Sequence, residues 1–239
     1  MALLPWQEGT ILAIEDAATN TKRFWIRAEQ MTEFHFTPGQ FVTLDLPIDE
    51  KPGKRWRSYS IASHPDGSNI FELVIVLNPF GKGTPYLFNE VKAGDRLTFR
   101  GPLGVFTIPT LLDKPLFLVC TGTGIAPFRS MVHYIHQQNL PHQGVYLLAG
   151  HRHRHNLLYH DEMLRLQQEF QGFEYHPVLS REEWEGHSGY VHQVYSNILN
   201  GSTDARFMLC GWKNMVDEAK THLIGMGFDK KHIHSELYG

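Results

Sequence analysis

Leu116-Phe117-Leu118-Val119-Cys120-Thr121-Gly122-Thr123-Gly124-Ile125-Ala126-Pro127 is a short apolar run that breaks into two glycines one residue apart and then resumes as a helix-compatible segment. The apolar part has the length of a buried strand. Glycines at its end let the backbone approach a phosphate, and a helix starting there presents unpaired N–H groups and a positive dipole end. Pro127 stands where G-x-G-x-x-G has its third glycine. Taken alone, the segment therefore fits a dinucleotide pyrophosphate site and a plain strand-to-helix turn equally well.

Working outward, 145–149, 173–179 and 206–210 are further strand-like runs, separated by helical patterns such as 127–138 and 157–170. Strands alternating with helices predict βαβ units and a parallel sheet. Upstream the period shortens, with strand-like runs at 9–14, 23–28, 40–46, 55–62, 70–77 and 96–100 between turn residues. These predict an antiparallel barrel with one short helix started by Gly83, Thr84 and Pro85. The period changes at 112–114, so the expected organisation is a six-stranded antiparallel β-barrel domain over 1–112 and a Rossmann-like parallel α/β domain over 113–239.

Composition narrows the function classes. The chain has 239 residues with 42% hydrophobic and 20% charged, which excludes a disordered chain and a bilayer protein. Its net charge of −3 gives no global field for nucleic acid. Two cysteines, Cys120 and Cys210, are too few for an ordinary iron–sulfur cluster or a Cys₄ zinc site. The first residues lack a basic and apolar leader, and the uncharged runs are interrupted by polar residues, so a cytoplasmic protein with free thiols and no membrane insertion is expected. Among the 15 histidines, His151, His153 and His155 alternate with Arg152 and Arg154. An extended metal-ligating face and a solvated loop are both readings of that run. The lack of a carboxylate or cysteine within it favours the loop, with no metal and with Arg152 or Arg154 available to hold a coenzyme. Met208, Met215 and Met226 read as packing residues.

Arg57-Ser58-Tyr59-Ser60-Ile61-Ala62-Ser63 alternates as a strand, placing Arg57, Tyr59 and Ile61 on one face. It is followed in order by Gly81-Lys82-Gly83-Thr84, Gly101-Pro102-Leu103-Gly104-Val105-Phe106, the Gly122–Pro127 stretch continued by Phe128, and Cys210-Gly211. This ordered set resembles the ferredoxin–NADP reductase superfamily over nearly the whole chain. The resemblance implies FAD on the barrel, with Arg57, Gly83 and Thr84 at its phosphates, Tyr59 against one ring face and Ser60 near the reactive N5. It implies a nicotinamide dinucleotide held by Gly122, Thr123, Gly124, Pro127 and Gly211, with Cys210 beside the nicotinamide. Glu236 and Tyr238 resemble a terminal strand in which a carboxylate lies near the reacting atoms and an aromatic covers the other flavin face, although Gly239 extends this chain by one residue. A packed terminal strand is the other reading of Tyr238.

The implied activity is hydride transfer from NADPH to FAD N5, then single electrons to a separate carrier: ferredoxin, flavodoxin or an oxygenase component. In related proteins a Ser-Arg pair at the third strand end meets the 2′-phosphate, which points to Ser180 and Arg181 and to NADP, with NAD the alternative. Glu182, Glu183 and Glu185 follow, whose charges would oppose that phosphate if turned inward, and Tyr190 reads either as an adenine-stacking or as a helix-start packing residue. Lys51, Lys54, Arg55 and Arg57 are the densest basic cluster and would steer an acidic carrier, or for the lysines form a solvated run. Two rival functions stand beside this one: an NADH-dependent reductase component of an oxygenase, and a flavin-holding electron-transfer subunit with little free activity.

Overall fold

Period-two alternation in the first half folds as an antiparallel sheet. The computed structural model describes residues 4–238; Met1, Ala2, Leu3 and Gly239 lie outside the described residues, and with them the extra residue after Tyr238. Strands β1 (Gln7–Ala18), β2 (Thr21–Ala28), β3 (Phe41–Asp45), β4 (Trp56–Ser60), β5 (Ile70–Val76) and β6 (Arg96–Leu103) form one sheet, in the order β4-β3-β6-β1-β2-β5. Helix α1 (Pro52–Arg55) precedes β4 and α2 (Gly83–Asn89) follows β5. The two edge strands meet through a bridge from Ile61 to Leu73 and through the Ala62 N–H donating to the Glu72 carbonyl at 2.8 Å. The sheet thus curls into a barrel joined at that point, while β4 itself has only β3 as a ladder neighbour. Ile11, Phe24, Ile26, Val42, Leu44, Phe71, Leu73 and Phe99 fill the interior, and Leu87 of α2 is buried with them. Burying each such side chain contributes about 1.5–3 kcal/mol, the main term holding so small a barrel together.

Beyond Ile108 the pattern is wound differently. Strands β7 (Leu116–Thr121), β8 (Val145–His151), β9 (Phe173–Leu179), β10 (His187–Ser188), β11 (Arg206–Trp212) and β12 (Ile233–Tyr238) form an all-parallel sheet in the order β10-β9-β8-β7-β11-β12. Helices α3 (Ile125–Gln137), α4 (His160–Glu169), α5 (Val191–Leu199) and α6 (Lys213–Gly225) connect them. The chain steps outward from β7 through β8, β9 and β10, then returns to place β11 on the other side of β7. This reversal of strand order is where open α/β sheets bind ligands, at the carboxyl ends of the strands. By chain contacts, one compact unit runs to Ile108 and takes in Arg129–Tyr134; the other comprises Pro109–Phe128 and the chain from Ile135 onward.

Several local expectations change. Strand β1 is twice as long as its apolar core, because the charged Glu15 and Asp16 pair in register opposite Arg23 and Lys22 of β2. Helix α4 starts at His160, three residues after the start of the apolar pattern, because the chain makes a 3-10 turn over Arg154–Asn156 and Tyr159, at φ 54°, only then sets the helix start. The loop expected to begin at His151 begins one residue later. His151 closes β8 and is 7% exposed, so it is a buried side chain and not a solvated one. Among the described residues no three His, Cys, Asp or Glu side chains gather as a metal cluster, and no helix is long and apolar enough to cross a membrane.

Candidate functional site

In the barrel, the predicted residues line the seam left by β4. Arg57 pairs with Leu44 and Tyr59 with Val42 in the β3–β4 register, so both point to the face occupied by the interior side chains. The aliphatic part of Arg57 lies against the start of α2: a Cβ on Gly83 would come within 2.9 Å of its Cγ and 3.0 Å of its Nε. Glycine at 83 is therefore what lets the guanidinium lie along the helix start. Its Nη1 donates to the Lys54 and Trp56 carbonyls at 3.0 and 2.7 Å, which fixes the fork at the mouth of the seam. Tyr59 is largely buried, and desolvation pushes its hydroxyl up to about 12, so the phenol stays a neutral donor. Ser60 is buried at the next position.

The Thr84 hydroxyl accepts from the Asn78 N–H at 2.8 Å and donates to the Asn78 carbonyl at 3.1 Å, which shapes the 78–84 turn. The backbone N–H groups at the start of α2, through which Gly83 and Thr84 are expected to meet a phosphate, receive no side-chain cap from Lys82. Of the basic cluster, Arg55 is held by Asp45 at 2.8 Å and drops out of any steering patch, while Lys51 and Lys54 are exposed.

In the parallel sheet, the other predicted residues meet at the strand-order reversal. A Cβ on Gly124 would lie 2.4 Å from the Cys210 carbonyl oxygen, and one on Gly211 would lie 2.6 Å from Thr121 Oγ1. The Trp212 N–H donates to the same Thr121 hydroxyl at 3.1 Å. These two glycines exist so that the β7 and β11 ends can interlock. Gly122 is different, at φ 53° with nothing within 4 Å of a Cβ position. It leaves open space beside the amino end of α3, as a phosphate or nicotinamide requires. Thr123 lies within the 3-10 turn Gly122–Gly124, and Pro127 is buried in the first turn of α3, shaping the helix start.

Cys210 pairs with Glu236 across β11 and β12, with Tyr238 two residues further along. Burial first, then the Glu236 charge and the neighbouring Cys120, raise the Cys210 thiol well above its ordinary value, partly offset by a hydrogen bond from Tyr238. The thiol is therefore neutral, suited to filling space beside a ring and not to attack. Cys120 is likewise a buried, neutral thiol. Ser180 and Arg181 stand apart from this group, at the end of β9 two strands from β7, and both are exposed.

Two residues missed by sequence reasoning join the picture. Thr121 locks both Gly211 and Trp212, and Trp212 itself is 66% exposed at the lip of the reversal. An indole directly after a strand-ending Cys-Gly pair was the available signal. Tyr190 is 65% exposed at the amino end of α5, so it is not a helix-start packing residue.

Residues 8–108 match the oxidoreductase FAD-binding domain family and residues 118–221 the oxidoreductase NAD-binding domain family. The chain is 31% identical to ferredoxin–NADP reductase B of Sorangium cellulosum, over 97% of both chains. The chain belongs to the ferredoxin–NADP reductase superfamily. It is also 30% identical to the anthranilate 1,2-dioxygenase electron transfer component of Acinetobacter baylyi, covering 88% of this chain but 60% of that relative, so it spans about three fifths of that protein's length. A solved ferredoxin NADP+ reductase from Neisseria gonorrhoeae with bound FAD and NADP aligns with TM-score 0.81 and 25% identity, over 97% of this chain and 98% of that one. The chain thus carries an oxidoreductase FAD-binding domain followed by an oxidoreductase NAD-binding domain. The residues present fit both groups: a guanidinium and an uncapped helix start at the barrel seam, and an open glycine turn at the strand-order reversal.

Proposed function

We propose that this chain moves hydride from NADPH to N5 of FAD and passes electrons singly to a separate carrier, a ferredoxin, a flavodoxin or an oxygenase component. The observation that carries this reading is the open face of Gly122 in the turn whose Gly124 abuts Cys210, a neutral, buried thiol residue paired in register with Glu236. Bound FAD supplies the conversion between two-electron and one-electron chemistry. The chain's own residues supply binding and orientation. In this reading residues 1–112 hold the flavin, with Arg57 and the α2 N–H groups of Gly83 and Thr84 at its phosphates, Tyr59 on the ring and Ser60 at N5. Residues 113–239 hold the coenzyme, with Gly122, Thr123, Gly124, Pro127 and Gly211 shaping its cleft and Ser180 and Arg181 at its 2′-phosphate. Cys210 fills the space beside the nicotinamide, Glu236 stands near the reacting atoms, and Tyr238 covers a flavin face. Two unbridged thiols and a reduced-coenzyme substrate support a cytoplasmic setting.

The oxygenase-component reading has its own support in the likeness to the anthranilate dioxygenase relative. It differs in the acceptor and coenzyme, not in the half-sites. The test is anaerobic reduction of the purified chain's flavin by NADPH and by NADH, followed by turnover with ferricyanide and with ferredoxin. Bleaching by NADPH and one-electron turnover are expected, with kcat/KM at least about tenfold higher for NADPH than NADH, and that ratio collapsing in Arg181→Ala. A flavin that neither coenzyme bleaches overturns the enzyme reading. A preference for NADH overturns the coenzyme assignment.

A further inference from the structure

Strands β8 and β9 stay paired beyond their ends. The Ser180 N–H donates to the His151 carbonyl at 2.9 Å and the Arg181 N–H to the Arg152 carbonyl at 3.0 Å, which ties the His151–His155 segment to the 180–189 loop. Arg152 and Arg181 thereby come onto neighbouring chains, both exposed and neither bonded to a carboxylate among the described residues. The same loop carries Glu182 and Glu185, whose charges oppose an incoming phosphate. Both are held from the His153–Arg154 segment, in different ways. Glu182 Oε2 accepts the backbone N–H of Arg154 at 2.9 Å and lies 3.6 Å from His153 Nδ1. The two oxygens of Glu185 take the Arg154 guanidinium as a fork, at 3.0 and 3.4 Å.

We infer that Arg154 sets coenzyme choice as a positioning and charge-compensating residue, its guanidinium holding Glu185 so that Arg152 and Arg181 are the charge met by a 2′-phosphate. The inference rests on the NADPH reading above. An exposed ion pair of this kind adds little to folding stability. Its consequence lies in binding, because a released carboxylate on the loop that carries Arg181 repels a phosphate dianion at low ionic strength. The identity of Arg154 as a compensator and not a ligand makes a specific demand: once Glu185 is neutral, Arg154 is dispensable.

The flavin-loaded protein is titrated calorimetrically with adenosine 2′,5′-bisphosphate and with 5′-AMP at low salt. Wild type is expected to bind the bisphosphate more tightly. Arg154→Gln should weaken the bisphosphate about fivefold and 5′-AMP less than about twofold, given one uncompensated charge on the loop that meets the dianion. The double variant Arg154→Gln/Glu185→Gln, which leaves the net charge as in wild type, should recover bisphosphate affinity to within about twofold of wild type. A double variant as weak as the single one makes Arg154 a ligand and overturns the inference. So does an unchanged Arg154→Gln, or an equal loss for both nucleotides, which marks a collapsed loop. Wild type without preference for the bisphosphate overturns the NADPH reading, and this inference with it.

Discussion

At the barrel seam the site is made by side chains; at the reversal between β7 and β11 it is made by positions without one. Arg57 and Tyr59 project from a strand with one ladder neighbour, and Gly83 serves only to let Arg57 lie down. Gly124 and Gly211, in contrast, let two strand ends touch, and only Gly122 faces open space. Deleting atoms should therefore damage the first region, and adding atoms the second.

The largest effect expected comes from adding one methyl in the second region. In Gly124→Ala the new Cβ would sit 2.4 Å from the Cys210 oxygen and 2.7 Å from its carbonyl carbon, both backbone atoms that a rotamer change cannot move. Overpacking of this kind costs about 3 kcal/mol or more, so the parallel-sheet region should melt well below wild type or fail to accumulate folded. Gly122→Ala makes no such contact and carries only the penalty of a left-handed backbone, about 1–2 kcal/mol. It should fold and yet bind coenzyme weakly. Thermal unfolding of the two variants side by side checks this, and a Gly124→Ala protein as stable as Gly122→Ala would remove the distinction between the glycines.

The same contrast explains what was legible beforehand. Leu116–Thr121 is readable to the residue because both its faces are buried, and Phe173–Leu179 because its buried Phe173, Tyr175, Val178 and Leu179 give way to an exposed Ser180. The bounds of helices α5 and α6 are not legible, although Tyr190 offers a helix start for α5, since His192, Gln193, Lys213 and Asn214 mask their first turns and neither has a side-chain cap. At the site, motif order named the residues but could not sort their jobs. That Gly124 serves the fold while Gly122 faces space, or that the Thr84 hydroxyl is spent on Asn78, depends on partners far away in sequence or on loop geometry. The fate of Glu182 and Glu185 was likewise invisible, because Arg154 lies some thirty positions upstream.

Acid should separate the two regions next. His142, His151, His176, His192 and His234 are all held below the ordinary histidine value chiefly by burial, and all five belong to the second region. His151 is the extreme, lowered to about 4. Its fold therefore holds the neutral ring. That contribution is complete above pH about 6.5 and is lost as pH falls towards 4, amounting to about 3 kcal/mol for a shift of this size. The second region should unfold first on acidification, and His151→Asn should flatten the decline between pH about 6.5 and 4. A variant with the wild-type slope in calorimetric scans across that window would show that His151 is not the group responsible.

In the first region the expected loss is smaller and falls on binding. Arg57→Ala removes a guanidinium whose charge-assisted bonds to phosphate are worth roughly 1.5–3 kcal/mol, so flavin affinity should drop by about one to two decades. The interior of the barrel is untouched, so the apoprotein should melt as wild type does. Full flavin occupancy after dilution and gel filtration would remove Arg57 from the phosphate site.

The smallest and most diagnostic change is Cys210→Ala, which deletes atoms in the region where deletion should matter least. The thiol is buried and kept neutral by desolvation and by Glu236, so it has no role as a nucleophile. What it offers is bulk: hydride transfer depends on holding donor carbon and acceptor nitrogen close and aligned, and a soft side chain can fill the gap without displacing the ring. Alanine leaves the β7–β11 interlock of Gly124, Gly211 and Thr121 in place, so folding and flavin content should be nearly unchanged. Stopped-flow reduction by NADPH should slow by about tenfold, the scale at which a small misplacement of reacting atoms is felt. Reduction at the wild-type rate would mean that the backbone at 210–211 positions the nicotinamide unaided, and that the second region works without any side chain beside the ring.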